Sequence, residues 1–215
     1  MPPGDIRRPS PFVVFAGLSI DGRYGGAGKE RSVTADALRR AGLTALYLGI
    51  FATIWFSVPK NEPPLGIVLV VGSVAALLAA GTGGALVFRS RAGGSFQRDV
   101  QGDRKYLVIF AGELAAAGFG AVLLAVSGHS EYIAVFVGAV VGAHFWPLAP
   151  VLRDPALRVL AVLVCLAALA GLITGLVSSS VLPGTVTGAG IAVLLLGYAM
   201  GALIRAGLAL RSPAS

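Results

Sequence analysis

Charged residues are scarce in this chain. Asp, Glu, Lys and Arg make up only 13% of its 215 residues, against roughly 25% in a soluble domain. Hydrophobic residues reach 56% and the mean hydropathy is +0.83. A chain with so little polar surface cannot face water on all sides, which excludes an ordinary soluble domain. The net charge of +7 is distributed between apolar runs, which indicates membrane topology, so no nucleic-acid partner is expected.

Residues that bind metals or form disulfides are equally rare. The single cysteine, Cys165, lies within an apolar run and can form neither an intramolecular disulfide nor a thiolate metal site. Of the two histidines, His129 shares a predicted turn with Glu131, but two ligands without a third do not make a zinc site. The other histidine, His144, is predicted on the opposite side of the membrane. The sequence therefore predicts no metal and no cofactor.

Signatures of soluble enzymes are missing: there is no nucleophile elbow, no His-Glu-x-x-His, no Cys-x-x-Cys and no dinucleotide fingerprint on a strand. Residues 25–30, Gly-Gly-Ala-Gly-Lys-Glu, look like the end of a phosphate-binding loop. However, Arg23 stands where that loop needs its first glycine, and Glu30 stands where it needs Ser or Thr. We interpret the segment as a flexible linker, and an enzyme is the less favoured class for this chain, with no catalytic residue assigned.

Six apolar runs are present, and each is long enough to cross the hydrocarbon core of a bilayer as a helix. They predict an all-α polytopic membrane protein: a six-transmembrane-helix bundle over residues 41–211, preceded by a basic, flexible cytoplasmic tail over residues 1–40. The predicted helices lie at about 41–58, 64–88, 106–127, 131–152, 156–179 and 185–210.

The positive charges predict the orientation of this bundle. Of the seventeen Lys and Arg residues, all but Lys60 fall in the N-terminal tail, the loop 89–105, the turn 153–158 or the C-terminal end. Because positive residues are retained on the cytoplasmic face, both termini are expected inside. The preference for Arg over Lys, with abundant Ala, Gly, Val and Leu, indicates a GC-rich bacterial genome. The predicted location is the bacterial plasma (inner) membrane, as a multi-pass protein.

Close helix packing is predicted from glycines and other small residues at four-residue spacing, since helices in lipid associate through close backbone approach. Trp55 and Trp146 are expected at helix ends as interfacial anchors. Pro147 is expected to remove one backbone hydrogen bond and so to free the carbonyl of Ala143. The glycines predicted at helix contacts are Gly72, Gly84, Gly138, Gly142, Gly171, Gly175, Gly197 and Gly201.

One predicted hairpin, residues 106–150, carries the only carboxylate and the only imidazole inside any apolar run. Glu113 and His144 each lie about 9–10 Å from the same end of this hairpin, at ~1.5 Å rise per residue. They are therefore expected to meet at one depth in the inner half of the bundle. Ionisable groups at membrane depth are costly, which makes the pair a functional candidate, although a purely structural pair is an equal alternative.

Two further residues join this candidate polar centre. Arg205 and Tyr198 lie at a similar level on one face of the sixth helix. For Arg205, a snorkelling side chain whose head reaches the interface is the simpler interpretation, and for Tyr198 it is packing.

The leading functional hypothesis is transport or sensing of a proton or small solute through the Glu113 and His144 centre, because imidazole titrates near neutral pH. One alternative is an intramembrane enzyme acting on a lipid or isoprenoid, with Glu113 as general acid and His144 as base. Another is a scaffold or accessory subunit. The expected partner is the lipid bilayer, with a membrane protein partner or a homo-oligomer left open, and no residue pattern identifies a substrate.

Overall fold

The structure is a computed structural model that describes residues 24–60, 65–91, 100–152 and 154–211. Within these residues the chain is all-helical, as predicted, with six α-helices and one short 3-10 turn at Ser130–Tyr132. The helices are α1 Tyr24–Phe56, α2 Leu65–Arg91, α3 Val100–Val126, α4 Ile133–Leu152, α5 Ala156–Val177 and α6 Pro183–Arg211.

All six described helices are long and apolar enough to span a membrane, with apolar stretches of 20 to 26 residues. At ~1.5 Å rise per residue these stretches measure about 30–39 Å, which matches a hydrocarbon core of roughly 30 Å. Successive helices run in opposite directions, so the bundle has two ends. The short-loop end holds the ends of α1, α3 and α5 and the starts of α2, α4 and α6, and the terminal end holds the other end of each helix.

Helix bounds differ from the predicted ones mainly at the terminal end. α3 begins at Val100 and α1 begins at Tyr24, so the structure places residues 24–40 in α1 instead of in a flexible tail or linker. Hydropathy marks where an apolar run ends and carries no signal for a helix that continues through polar residues such as Lys29, Glu30 and Arg31. The tail prediction for residues 1–23 and part of the loop prediction, residues 92–99, lie outside the described residues.

The helices pack around α6, which contacts α1, α2, α4 and α5. The antiparallel pair α1 and α2 lies on one side of α6, and the pair α4 and α5 lies on the other. α3 is the exception, because among the described residues its substantial contacts are with α4 and the 3-10 turn. The most deeply buried core side chains come from α1, α2, α5 and α6: Ala45, Ala52, Ala76, Val164, Thr187, Ile191, Ala192, Leu195 and Ala199.

The predicted packing glycines divide into two groups. Gly84 faces only an ordinary van der Waals contact with Leu46, at 3.7 Å from the position of an added Cβ, and Gly197 and Gly201 face open space. At the other five, an added Cβ would overlap a neighbouring side chain, so these glycines do lie at close contacts. They are Gly72 against Phe56, Gly138 against Ile191, Gly142 against Cys165, Gly171 against Thr187, and Gly175 against Pro183.

The closest backbone contact involves glycines that the four-residue spacing did not identify. A Cβ on Gly83 of α2 would lie 2.5 Å from the carbonyl oxygen of Gly42 and 2.6 Å from the nitrogen of Leu46, both on α1. On α1 the small residues recur at alternating spacings of three and four. This stripe consists of Gly42, Ala45, Gly49 and Ala52, all buried against neighbouring helices.

The two tryptophans have different environments. Trp55, expected as an interfacial anchor, is only 5% exposed and belongs to the hydrophobic core, whereas Trp146 is 57% exposed. α4 continues through Pro147 and Pro150 to Leu152. A helix can continue past a proline in lipid when neighbouring groups take over the lost backbone bonds.

Candidate functional site

Glu113 lies on the face of α3 that packs against α4. On this face Ala117 is half-buried and Gly120 is buried, whereas the neighbouring Ala116 is exposed. The ring of Phe136 on α4 occupies the space where a side chain on Gly120 would be. Small residues therefore let the two helices approach closely, and this approach carries the Glu113 side chain into the interface, where it is 15% exposed.

His144 meets Glu113 from α4, as their equal depths predict. Its Nδ1 lies 3.1 Å from Oε2 of Glu113, and its side chain is only 8% exposed. Nδ1 is fully buried, but the ring is not oriented for an aligned hydrogen bond along this line. The contact is therefore a close approach of a carboxyl oxygen and an imidazole nitrogen, both on side chains that are largely buried. The imidazole also makes an edge contact with Phe145, with ring centroids 5.9 Å apart.

The depth of the pair follows from the helix bounds. Glu113 stands thirteen residues before Val126 and His144 eleven residues after Ile133, which places them about 20 Å and about 17 Å from the short-loop end. Both values fall inside a hydrocarbon core of roughly 30 Å. An unpaired charge there is expensive, so the contact lowers the cost of keeping each group at this depth.

Two prolines in α4 remove backbone hydrogen-bond donors close to His144. Pro147 and Pro150 both lie inside the helix and have no N–H to donate to the carbonyls of Ala143 and Trp146. Ala143 directly precedes His144 in the chain, and Trp146 follows it by two residues. Each of these carbonyl oxygens therefore lacks its usual helical donor.

Tyr198 and Arg205 take part in a different cluster. The Tyr198 hydroxyl donates a hydrogen bond of 2.5 Å to Oδ2 of Asp154, in the connection between α4 and α5. The other carboxylate oxygen, Oδ1, accepts a bond of 3.1 Å from the backbone N–H of Ala156 at the start of α5. The guanidinium carbon of Arg205 lies 5.8 Å from the centroid of the Tyr198 ring. This cluster joins the start of α5 to α6.

Asp154 was not among the residues singled out from the sequence. Its signal was the turn 153–155, Arg-Asp-Pro, where an aspartate stands immediately before the first turn of a helix. Side-chain oxygens at such positions commonly accept bonds from free backbone N–H groups. What no local pattern could indicate was the second partner, Tyr198, which is 44 residues away.

The residues expected to form one polar centre therefore belong to two separate clusters. Among the described residues, no hydrogen bond or ion pair links Glu113 and His144 to Tyr198 or Arg205. The reason is the position of α3, which packs on α4 on the side away from the rest of the bundle. Two other polar residues, Tyr47 on α1 and Thr82 on α2, are both exposed, and Thr82 donates to a carbonyl of its own helix.

The polar turn at the short-loop end is solvated. His129 and Glu131 are both exposed there, and Nδ1 of His129 lies 3.4 Å from the hydroxyl of Ser127. Within the described segments, no group of three His, Cys, Asp or Glu side chains is placed to hold a metal ion.

An imidazole and a carboxyl group in contact can exchange a proton and can hold one proton between them. This is the chemistry that the arrangement of Glu113 and His144 allows. No protein-family model, curated protein or solved structure matches the chain.

Proposed function

We propose that this membrane protein works by taking up and releasing protons at the Glu113–His144 pair, in proton-coupled movement of a small solute or in sensing of pH. The observation that carries this proposal is the 3.1 Å approach of the two groups at membrane depth, on a helix whose substantial contacts, among the described residues, are with α4 and the 3-10 turn. Because this pair lies in the contact that holds α3 against α4, a change in its protonation is expected to change the position of α3.

The coupling follows from the charge of the pair. With one shared proton the pair is neutral overall, either as acid and imidazole or as carboxylate and imidazolium. A second proton leaves a net positive charge, and loss of the first leaves a net negative charge, each in a poorly solvated interface. Both changes weaken the contact between α3 and α4. Among the described side chains, α4 carries no titratable group other than His144 that could compensate.

The route for protons is proposed from the terminal end. The carbonyls of Ala143 and Trp146, which receive no backbone bond from Pro147 and Pro150, supply acceptors close to His144 in the chain for such a route. Lipid-facing α3 covers the pair from the side, so its displacement would open the pair to a second compartment or to a solute.

The orientation that we propose has both termini in the cytoplasm of a bacterial cell, with the protein in the plasma membrane. The distribution of Lys and Arg, in which only Lys60 lies at the short-loop end, supports this orientation. Cysteines introduced at Lys60 and at Arg211, in a Cys165→Ser background, test it. An impermeant thiol reagent added to intact cells should label the first and not the second, and the reverse pattern would invert the topology.

Proton movement is tested in liposomes that contain the purified protein and a pH-sensitive dye. An imposed pH gradient should collapse faster with the wild-type protein than in empty liposomes. Glu113→Gln and His144→Gln should each slow this collapse by about tenfold or more, because each removes one of the two proton-exchanging groups. Thr82→Val is the matched control, since its hydroxyl is exposed on α2 and bonds only within its own helix.

Sensing of pH is tested by measuring the distance between α3 and α5. Spin labels at the exposed residues Val122 on α3 and Leu172 on α5, in the Cys165→Ser background, should report a pH-dependent change that Glu113→Gln abolishes. If gradients collapse no faster than in empty liposomes and this distance is independent of pH, the proton-exchange function is wrong. Variants that then changed only thermal stability would favour the scaffold alternative.

A further inference from the structure

Arg205 places a positive charge on the exposed, apolar side of α6. Its side chain is exposed, six residues before Arg211 at the end of the helix, or about 9 Å inside that end. Its neighbours on the same side, Ile204 and Leu208, are 57% and 58% exposed. A guanidinium therefore emerges from a surface that otherwise suits acyl chains.

Both carboxylate oxygens of Asp154 already accept hydrogen bonds. Oδ2 of Asp154 accepts the hydroxyl of Tyr198 at 2.5 Å, and Oδ1 accepts the N–H of Ala156 at 3.1 Å. In the part of the chain that the structure describes, no carboxylate oxygen lies within 4.0 Å of the Arg205 guanidinium. The charge of Arg205 is therefore not neutralised by an acidic side chain of the described bundle.

Tyr198 positions the guanidinium. The ring is held at its hydroxyl end by Asp154, and the guanidinium carbon lies 5.8 Å from its centroid. The guanidinium also interacts with the Tyr198 hydroxyl. Because it carries five N–H donors, others remain for a planar, two-point contact with a phosphate. The ring thus holds Arg205 beside the helix, with its donors available to a ligand from the lipid side.

We propose that Arg205, positioned by Tyr198, binds the phosphate group of an anionic phospholipid at the terminal end of the bundle. The acyl chain lies along the exposed side of α6, where Gly197 and Gly201 have no neighbour within 4 Å of an added Cβ and so form a shallow trough. Because no acidic side chain of the described bundle neutralises Arg205, its charge favours a lipid with net negative charge over a zwitterionic one. The site is separate from the Glu113–His144 pair and does not depend on the function proposed for it.

The test measures thermal unfolding of the full chain in an uncharged detergent. Added phosphatidylglycerol should raise the unfolding temperature by about 5 °C or more when the lipid is well above its dissociation constant. Phosphatidylcholine and inorganic phosphate should each leave it nearly unchanged. Arg205→Gln should remove most of the shift, and Arg205→Lys should remove about half, because lysine keeps the charge but loses the two-point contact.

Arg158→Gln and Arg211→Gln are the matched controls, since each removes one exposed cation from the same end and should retain the shift. The proposal is overturned if Arg205→Gln retains the full shift, or if all three Arg→Gln variants lose it equally, which would indicate a diffuse positive surface. It is also overturned if phosphatidylcholine or inorganic phosphate gives the same shift. If Arg205→Gln does not fold, Arg205→Lys decides the question, because an undiminished shift in that variant contradicts a guanidinium site.

Discussion

The side chain of Thr187 on α6 lies between two glycines, with its hydroxyl oxygen where a side chain on Gly171 of α5 would be. Its methyl group would lie 3.0 Å from a Cβ added to Gly138 of α4. Thr187 is completely buried, and its hydroxyl has no hydrogen-bond partner among the described residues. Three helices therefore pack closely around one small, branched side chain, and this packing sets how near they can approach.

Gly171→Ala should destabilise the protein by about 1–3 kcal/mol, because the new methyl group would overlap Thr187 and lie 2.8 Å from the carbonyl oxygen of Pro183. The measurement is the unfolding temperature in detergent, which should fall by several degrees. Gly197→Ala is the control, because open space surrounds that glycine and alanine favours a helix. Equal effects of the two substitutions would contradict the packing described here.

Gly83→Ala should separate α1 from α2. Its Cβ would meet backbone atoms of Gly42 and Leu46 at 2.5 Å and 2.6 Å, and a backbone cannot move aside as a flexible side chain does. We expect the unfolding temperature to fall by at least as much as for Gly171→Ala. Gly81→Ala, two residues earlier on the same helix and facing open space, should cause no loss. A tolerated Gly83→Ala would show that the helices lie farther apart.

Glu113 and His144 should be energetically coupled. A double-mutant cycle with Glu113→Gln and His144→Gln is expected to give a coupling energy of about 0.5–3 kcal/mol, as for other pairs in direct contact. The measured quantity is the free energy of unfolding of the wild type, both single variants and the double variant. Each single variant leaves one polar group buried without its charged partner, so the second substitution should cost less than the first.

If the two substitutions were additive within about 0.3 kcal/mol, the groups would not be in contact. Glu113→Gln combined with Thr82→Val is the matched control cycle, since Thr82 lies on α2 and bonds to its own helix. That pair should be additive.

Tyr198→Phe should loosen the start of α5 from α6. The variant keeps the ring but removes the 2.5 Å bond to the Asp154 carboxylate, and hydrogen bonds to charged groups contribute about 1.5–3 kcal/mol. We expect a lower unfolding temperature and faster amide exchange in the first turn of α5. Tyr47→Phe removes the hydroxyl of an exposed tyrosine and should have little effect. An unchanged exchange rate in α5 would contradict a role of this bond in joining the helices.

Several features were predictable because each depends on neighbouring residues in the chain. Apolar runs of sufficient length predicted the six helices, since backbone groups in lipid must bond within their own segment. The equal depths of Glu113 and His144 followed from counting residues along two helices joined by a short turn, and the structure places the two groups in contact. Helix ends that lie beyond the apolar runs were predicted less well, as the early start of α1 at Tyr24 shows.

Other features depended on which helices are neighbours. Trp55 was expected at the interface and is buried, and Gly197 and Gly201 have the spacing of packing glycines yet face open space. In each case the residue type permits both environments, and the choice is made by whether another helix covers that face.

By itself the sequence determined the all-helical architecture, the six helices long enough to span a membrane and the meeting of one acid with one imidazole, because hydrophobicity and the rise of a helix act along a single segment. Only the tertiary structure decided that α3 lies outside the main bundle, and that Tyr198 and Arg205 belong with Asp154 and not with Glu113. The physical reason is that lipid gives every apolar face a similar environment. Helix order around α6 is therefore set by close contacts between residues distant in the chain, such as Thr187 with Gly171 and Gly83 with Gly42.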